Sequence, residues 1–321
     1  MSFRNILFPT DFTPHAHSAL KYAAAFARAG QGRVILFSVQ PAHVPPNLMT
    51  LPERVLEDQE NNWLLQLRQQ VHALLTDPLF DGLEVEPVIV EGEPASEIAG
   101  AVRDYDVDLV TVVTRGRRGL ARALFGSTAE EIIAAAPCPV LTIRPPQHDF
   151  VEHRDGHSQI HLNRILLATN FRPSAFTAMQ KARELSETVG AELHAVHVIG
   201  DYFEQISLLF PDEGTAALSR MRSEVQDRME AFARERGARV KVHVREGRPY
   251  AEIVKLATEI DADLIVIGTS VHASLFGGAP ALGSEIERVL RNAPCPVLCV
   301  PSGRVVTPLP SFARTQPVPQ T

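Results

Sequence analysis

The stretch Arg4-Asn5-Ile6-Leu7-Phe8-Pro9-Thr10-Asp11-Phe12 returns as Asn163-Arg164-Ile165-Leu166-Leu167-Ala168-Thr169-Asn170-Phe171. Three further segments repeat in the same order. Glu91-Gly92-Glu93-Pro94 with Glu97-Ile98 returns as Glu246-Gly247-Arg248-Pro249 with Glu252-Ile253. Asp106-Val107-Asp108-Leu109 matches Asp261-Ala262-Asp263-Leu264, and Ala136-Pro137-Cys138-Pro139-Val140 matches Ala293-Pro294-Cys295-Pro296-Val297. Matches that keep their order across two halves mark an internal duplication.

Each half alternates short apolar runs with longer helical ones. Strands are expected over Ile6 to Pro9, Val34 to Val39, Val85 to Val90, Leu109 to Val113 and Val140 to Ile143. The spacing predicts helices from Ser18 to Ala29, closed by Gly30 and Gly32, from Glu53 to Leu75, from Pro94 onward, and from Ser127 to Ala136. Pro94 fits a first helical turn, where a missing N–H costs nothing. The unbroken apolar run Leu109 to Val113 fits a strand covered on both faces. Such alternation implies right-handed crossovers and a parallel sheet, an α/β fold with helices on both faces. Pro139 and Pro296 cannot donate to a ladder, so the last strand of each half begins at, or lies along, a sheet edge.

The expected organisation is a first unit over 1–146, a linker over 147–161, a second unit over 162–302 and a disordered tail over 303–321, rich in Pro, Ser, Thr and Gln. The linker region carries His148, His153, His157 and His161. Their spacing is more open than that of structural metal sites, so the reading is a solvated connector.

Composition bounds the function. The chain has 321 residues, 45% hydrophobic and 21% charged, as in globular proteins. Its net charge of −7 disfavours a nucleic-acid partner. Runs long enough to span a membrane are missing, as is a secretory leader, and Cys138, Cys295 and Cys299 form no disulfide framework. A cytoplasmic protein with free thiols is expected.

The residues able to do chemistry gather at one end of the expected sheet. Asp11 follows strand one; Thr114-Arg115-Gly116-Arg117-Arg118-Gly119 follows strand four; Gly126-Ser127-Thr128 opens a helix. Ligands of open parallel sheets bind beyond the carboxyl ends of the strands. Gly116 and Gly126 let backbone approach a phosphate, and the N–H groups of Ser127 and Thr128 offer an anion site at a helix start. Asp11 suits a ribose hydroxyl or a metal on the phosphates. Arg115, Arg117 and Arg118 bring positive charge. Ser127 with Glu130, and Ser284 with Glu287, also read as capping boxes, which would explain both serines without a ligand. His194 and His197 read as partly buried histidines satisfied by hydrogen bonds. Neither a Gly-x4-Gly-Lys-Ser/Thr loop nor a Gly-x-Gly-x-x-Gly turn after strand one is present.

The spacing Gly116-x9-Gly126-Ser127, with Pro9-Thr10-Asp11-Phe12-Thr13 upstream and Ala136-Pro137-Cys138-Pro139-Val140 closing the half, resembles the universal stress protein family. The resemblance covers about 3–146 and 162–302. It implies two tandem Rossmann-like, flavodoxin-like domains, each a five-stranded parallel sheet of order 3-2-1-4-5. It also implies ATP binding in many members, with Mg2+ on the phosphates, and pairing of halves or chains through the last strand. Carried over residue by residue, the first-half site comprises Pro9, Thr10, Asp11, Val39, Val113, Arg115, Gly116, Arg117, Gly126, Ser127 and Thr128. A weaker second site comprises Thr169, Asn170, Val198, Gly268, Gly283 and Ser284. Both depart from the family pattern: Val113 stands where the first glycine belongs, Val271 where the second belongs in the other half, and Asn170 where the aspartate belongs. The expectation is a stress-response module that binds adenine nucleotide with little or no hydrolysis. The alternative is a nucleotide-free scaffold of two paired halves.

Overall fold

The computed structural model describes residues 3–40, 65–114, 127–144, 148–154, 157–200, 211–234, 240–270 and 282–302. The first half contains β1 (Asn5–Pro9), α1 (Pro14–Gly30), β2 (Arg33–Gln40), α2 (helical over 65–75), β3 (Glu84–Glu91), α3 (Pro94–Asp104), β4 (Leu109–Val113), α4 (Ser127–Ala135) and β5 (Val140–Ile143). A hairpin follows, β6 (Val151–Arg154) and β7 (His157–Ile160). The second half contains β8 (Arg164–Ala168), α5 (Pro173–Val189), β9 (Glu192–Ile199), α6 (Pro211–Arg234), β10 (Val240–Glu246), α7 (Pro249–Glu259), β11 (Leu264–Thr269), α8 (Ser284–Asn292) and β12 (Val297–Pro301).

Ten strands form one sheet, in the order β10-β9-β8-β11-β12-β5-β4-β1-β2-β3. Within each half the pairings are parallel and the order is 3-2-1-4-5. The two halves join through β5 and β12, which run antiparallel, with Leu141 opposite Leu298. Each last strand is thus the edge of its own half, and the two edges pair with each other, as the resemblance implied. Pro139 and Pro296 each precede the strand, where no ladder donor is needed. The true edges are β3 and β10, and β3 tolerates Pro87 in its middle for that reason.

Helix α1 begins four residues earlier than its spacing predicted. Thr13 caps it, its hydroxyl oxygen accepting the Ala16 N–H at 3.3 Å, and Pro14 occupies the first turn. The residue that turns left-handed at its end is Gln31 (φ 51°), not a glycine. Gly30 and Gly32 are there for closeness: a Cβ on either would meet the Phe3 or Arg4 carbonyl oxygen inside 2 Å.

The repeated aspartates have structural work. Asp108 Oδ2 accepts the Arg4 and Asn5 N–H groups, both at 2.9 Å, and Asp263 Oδ2 accepts those of Asn163 and Arg164 at 2.6 and 2.8 Å. Each ties the start of one strand to the start of its neighbour.

The connector is not merely solvated. Phe150 and Val151 are buried, and Phe150 meets the rings of Tyr22 and Phe26 on α1 edge-on, at 5.0 and 6.2 Å. Asp149 accepts the Tyr22 hydroxyl at 2.8 Å and pairs with Lys21. His148 bonds Asp263 of the second half at 2.6 Å, and its N–H donates to the Pro294 carbonyl. Polar composition hid an apolar plug, because one phenylalanine and one valine suffice to anchor a short hairpin. The Lys181 ammonium of α5 lies 4.8 Å from the centre of the Phe3 ring, and one cluster of buried apolar side chains takes members from both halves. All three cysteines are buried and unpaired, and burial pushes the Cys138 and Cys299 thiols up to about 12.

Candidate functional site

A cleft of about 400 Å³ opens at the carboxyl ends of β1, β2 and β4. That size lies within the roughly 300–1,000 Å³ of small-molecule sites. Strand order reverses here, since β2 and β4 leave β1 on opposite sides. Its floor and walls are apolar: Pro9, Phe37, Val39, Ile98, Val112, Val113 and Ile132. Polar groups stand at Thr10, Asp11, Thr13 and Thr128. A second cavity of about 360 Å³ shares Asp11 and Val39 and runs on toward Gln40, Gln66 and Gln70.

The turn after β1 is shaped to present Asp11. Thr10 N–H donates to the Phe37 carbonyl at 2.9 Å, which holds the turn to β2. The Thr10 hydroxyl oxygen then accepts the Phe12 N–H at 3.0 Å, with Phe12 in the left-handed region at φ 57°. Such a conformation costs about 1 kcal/mol or more for a residue with a side chain. The second half repeats it: Thr169 accepts the Phe171 N–H at 3.2 Å, and Phe171 has φ 58°. Asp11 is exposed at the crest, its Oδ1 accepting from the Thr13 N–H at 3.0 Å and the Thr13 hydroxyl at 2.6 Å.

Of the expected first-half residues, Pro9, Thr10, Asp11, Val39, Val113 and Thr128 line this one cleft. Arg115, Gly116, Arg117, Arg118 and Gly126 lie outside the described residues, as does the side chain of Ser127, the first residue of α4. Thr13, Phe37, Pro94, Ile98, Ala129 and Ile132 belong to the lining and were not singled out from sequence. Pro94 could have been found from the repeated Glu-Gly-x-Pro; the apolar members carry no signal that separates a cleft wall from core.

The second half differs at the same points. A Cβ on Gly268 would meet the Ser174 carbonyl oxygen at 2.3 Å and the Ala175 nitrogen at 2.7 Å, so the start of α5 sits directly on the end of β11. Thr169 is buried and Asn170 exposed, with Asn170 Oδ1 accepting the Arg172 N–H at 3.0 Å. Val198 is half-buried beside His197. His197 Nδ1–H donates to the Thr169 carbonyl at 2.9 Å, its ring stacks on Phe171, and the Arg228 guanidinium lies over the Phe171 ring, 4.2 Å from its centre. Burial lowers the His197 pKa. Val271 is outside the described residues.

The capping box expected at Ser284 is not formed. Gly283 is the cap residue, without a side-chain bond, and Ser284 is the exposed first helical residue. Glu287 pairs instead with Arg291, one turn on. Glu285, which follows Ser284 as Thr128 follows Ser127, accepts the Tyr250 N–H at 2.9 Å and so caps α7. In the first half Glu93 caps α3 itself, through Ala95 and Ser96. Arg248 replaces Glu93 in the second half and makes no cap bond, so Glu285 supplies the acceptor from α8.

A doubly wound sheet with a cleft at its switch point defines the open α/β class of domain. The model of the universal stress protein family matches residues 2–144 and again 161–301, and the chain belongs to that family. Universal stress protein MJ0531 of Methanocaldococcus jannaschii is 32% identical over 147 residues, 43% of this chain and 81% of its own. A universal stress protein of Mycolicibacterium smegmatis is 26% identical over 307 residues, 92% of this chain and 96% of its own. The crystal structure of a universal stress protein from Archaeoglobus fulgidus matches 94% of this chain and all of that one, with a TM-score of 0.62 at 24% identity, a likeness of fold. Among the described residues no helix is long and apolar enough to cross a membrane, and no cluster of three or more His, Cys, Asp or Glu could hold a metal ion.

Proposed function

We propose that this protein binds an adenine nucleotide, ATP, in its first half, with little or no hydrolysis. The supporting observation is the cleft: apolar walls at Phe37, Val39 and Val112 suited to a flat base, a carboxylate at Asp11 suited to sugar hydroxyls, and the start of α4 at Thr128 suited to phosphates. Residues Arg115 to Gly119 and Gly126 precede that helix in sequence and carry three arginines and three glycines, chemistry suited to phosphates, whose charge Mg2+ would help to neutralise. Ground-state holding of this kind lowers a dissociation constant without accelerating chemistry. The test is mass spectrometry of ligand released from the purified protein, followed by calorimetric titration with ATP. A protein that purifies empty and shows no heat of binding overturns the reading.

One observation favours a second reading, a scaffold of two paired halves without nucleotide. In the second half Gly268 brings α5 onto β11, and Glu285 places a carboxylate where Thr128 stands in the first. That half contributes packing in place of a binding site.

A further inference from the structure

Resting on the nucleotide reading above, we infer that Thr13 is a positioning residue that orients the Asp11 carboxylate toward the ligand's sugar. Two bonds reach Asp11 Oδ1 from this one residue, the hydroxyl at 2.6 Å and the backbone N–H at 3.0 Å. The same hydroxyl oxygen accepts the Ala16 N–H at 3.3 Å. A threonine hydroxyl has one proton to give, and here it goes to the carboxylate. Thr13 therefore links the first turn of α1 to the carboxylate, and both residues line the cleft. A hydroxyl bond to a carboxylate is short and strong. Asp11 is exposed, and an exposed carboxylate not held this way samples several rotamers; fixing one beforehand removes an ordering cost from binding. Arg172 occupies the corresponding position in the second half, where it has no hydroxyl and its side chain makes no cap bond.

Plain helix capping is the competing role for Thr13, and selectivity separates the two. Affinities for ATP and for 2′,3′-dideoxy-ATP are measured by calorimetry in the wild type, Thr13→Ser, Thr13→Gly and Thr13→Val, with melting temperatures alongside. Glycine is nearly as good an N-cap as threonine, so Thr13→Gly removes the donor with little loss of capping. Should that variant melt early, Thr13→Val, which keeps the shape, carries the test. The wild type should prefer ATP, and Thr13→Ser should match it. The glycine and valine variants should lose about tenfold for ATP and little for the dideoxy analogue, so that the preference collapses. Equal losses for both nucleotides would assign Thr13 to capping and overturn the positioning role. A wild type that binds both equally also overturns it, while leaving the nucleotide reading intact. Binding of neither overturns both.

Discussion

Val113 and Gly268 hold the same place at the ends of β4 and β11, and they meet different surroundings. Gly268 lies so close to Ser174 that a Cβ would stand 2.3 Å from its carbonyl oxygen, whereas the Val113 side chain faces the cleft beside Thr13 and Ala16. The glycine that resembles a phosphate-binding residue in sequence also packs β11 against the start of α5.

Gly268→Ala should therefore destabilise the fold by about 1–3 kcal/mol, since backbone must shift to admit the methyl group. It should leave ATP affinity unchanged. Urea unfolding and titration of the same variant check both points. At equal nucleotide concentration the second half should stay empty, so a crystal soaked in ATP with density only near Ser284 would reverse the ranking of the two halves.

In the first half, Asp11→Ala and Gly126→Val should each weaken ATP binding by about tenfold or more, equivalent to about 1.4 kcal/mol. Asp11 loses a charge-assisted bond, and Gly126 gains a branched side chain where backbone must come near a phosphate. Calorimetry showing wild-type affinity in both variants removes this site.

Any ATP hydrolysis should be slower than about one turnover per minute, against the ~10 per second median of ordinary enzymes. Hydrolysis needs a group that orients or deprotonates water at the γ-phosphate. In the proposed binding mode Asp11 meets the sugar, and Glu130 has its carboxyl pKa raised by burial and then by Glu287 across the junction of the halves. Phosphate release at several per second, abolished by a substitution in 115–128, would make the protein an enzyme.

Stability should fall as pH drops below the ordinary histidine value. Burial lowers the pKa of His197 and of His243, the latter also facing His194, Arg245 and Lys241, with Glu259 acting in the opposite sense. A His194 Nε2–H donated to Glu192 leaves His194 Nδ1 to accept from His243, at 2.9 Å. Because the folded state favours the neutral forms of His197 and His243, the unfolded chain binds more protons below about 6.5, and folding free energy is lost in that window. Urea midpoints at pH 7.5 and 5.5 should differ in this direction, less so in His243→Gln. The raised carboxylates Glu97 and Glu130 act oppositely but nearer their own, lower range. Equal midpoints would show that burial of the rings carries no cost.

Phe150→Ala should cost about 3–5 kcal/mol, as for other large buried aromatic side chains, and should weaken the docking of the hairpin on α1. The wild type should unfold in one transition, since one cluster of buried apolar side chains takes members from both halves. A loss under 1 kcal/mol, or halves that tumble independently in NMR relaxation, would contradict this.

The duplication, the α/β alternation and the placement of Asp11 beyond a strand end are written in local sequence. They depend on residues near one another in the chain: apolar runs, Pro94 and Pro249 in first turns, and threonines that fold the turn after each first strand. What the tertiary structure decided are relations between distant residues. Whether strand five is an edge depends on its partner 157 positions away, since Leu141 meets Leu298. Whether a polar connector is solvent-exposed depends on Tyr22 and Phe26 standing ready to receive Phe150. How closely a helix start approaches the end of a fourth strand is a relation of the same kind: Val113 lines the first-half cleft, while Gly268 lies against Ser174. Local propensity is nearly the same in both halves; steric contact between separate elements is not, and only the folded chain brings those elements together.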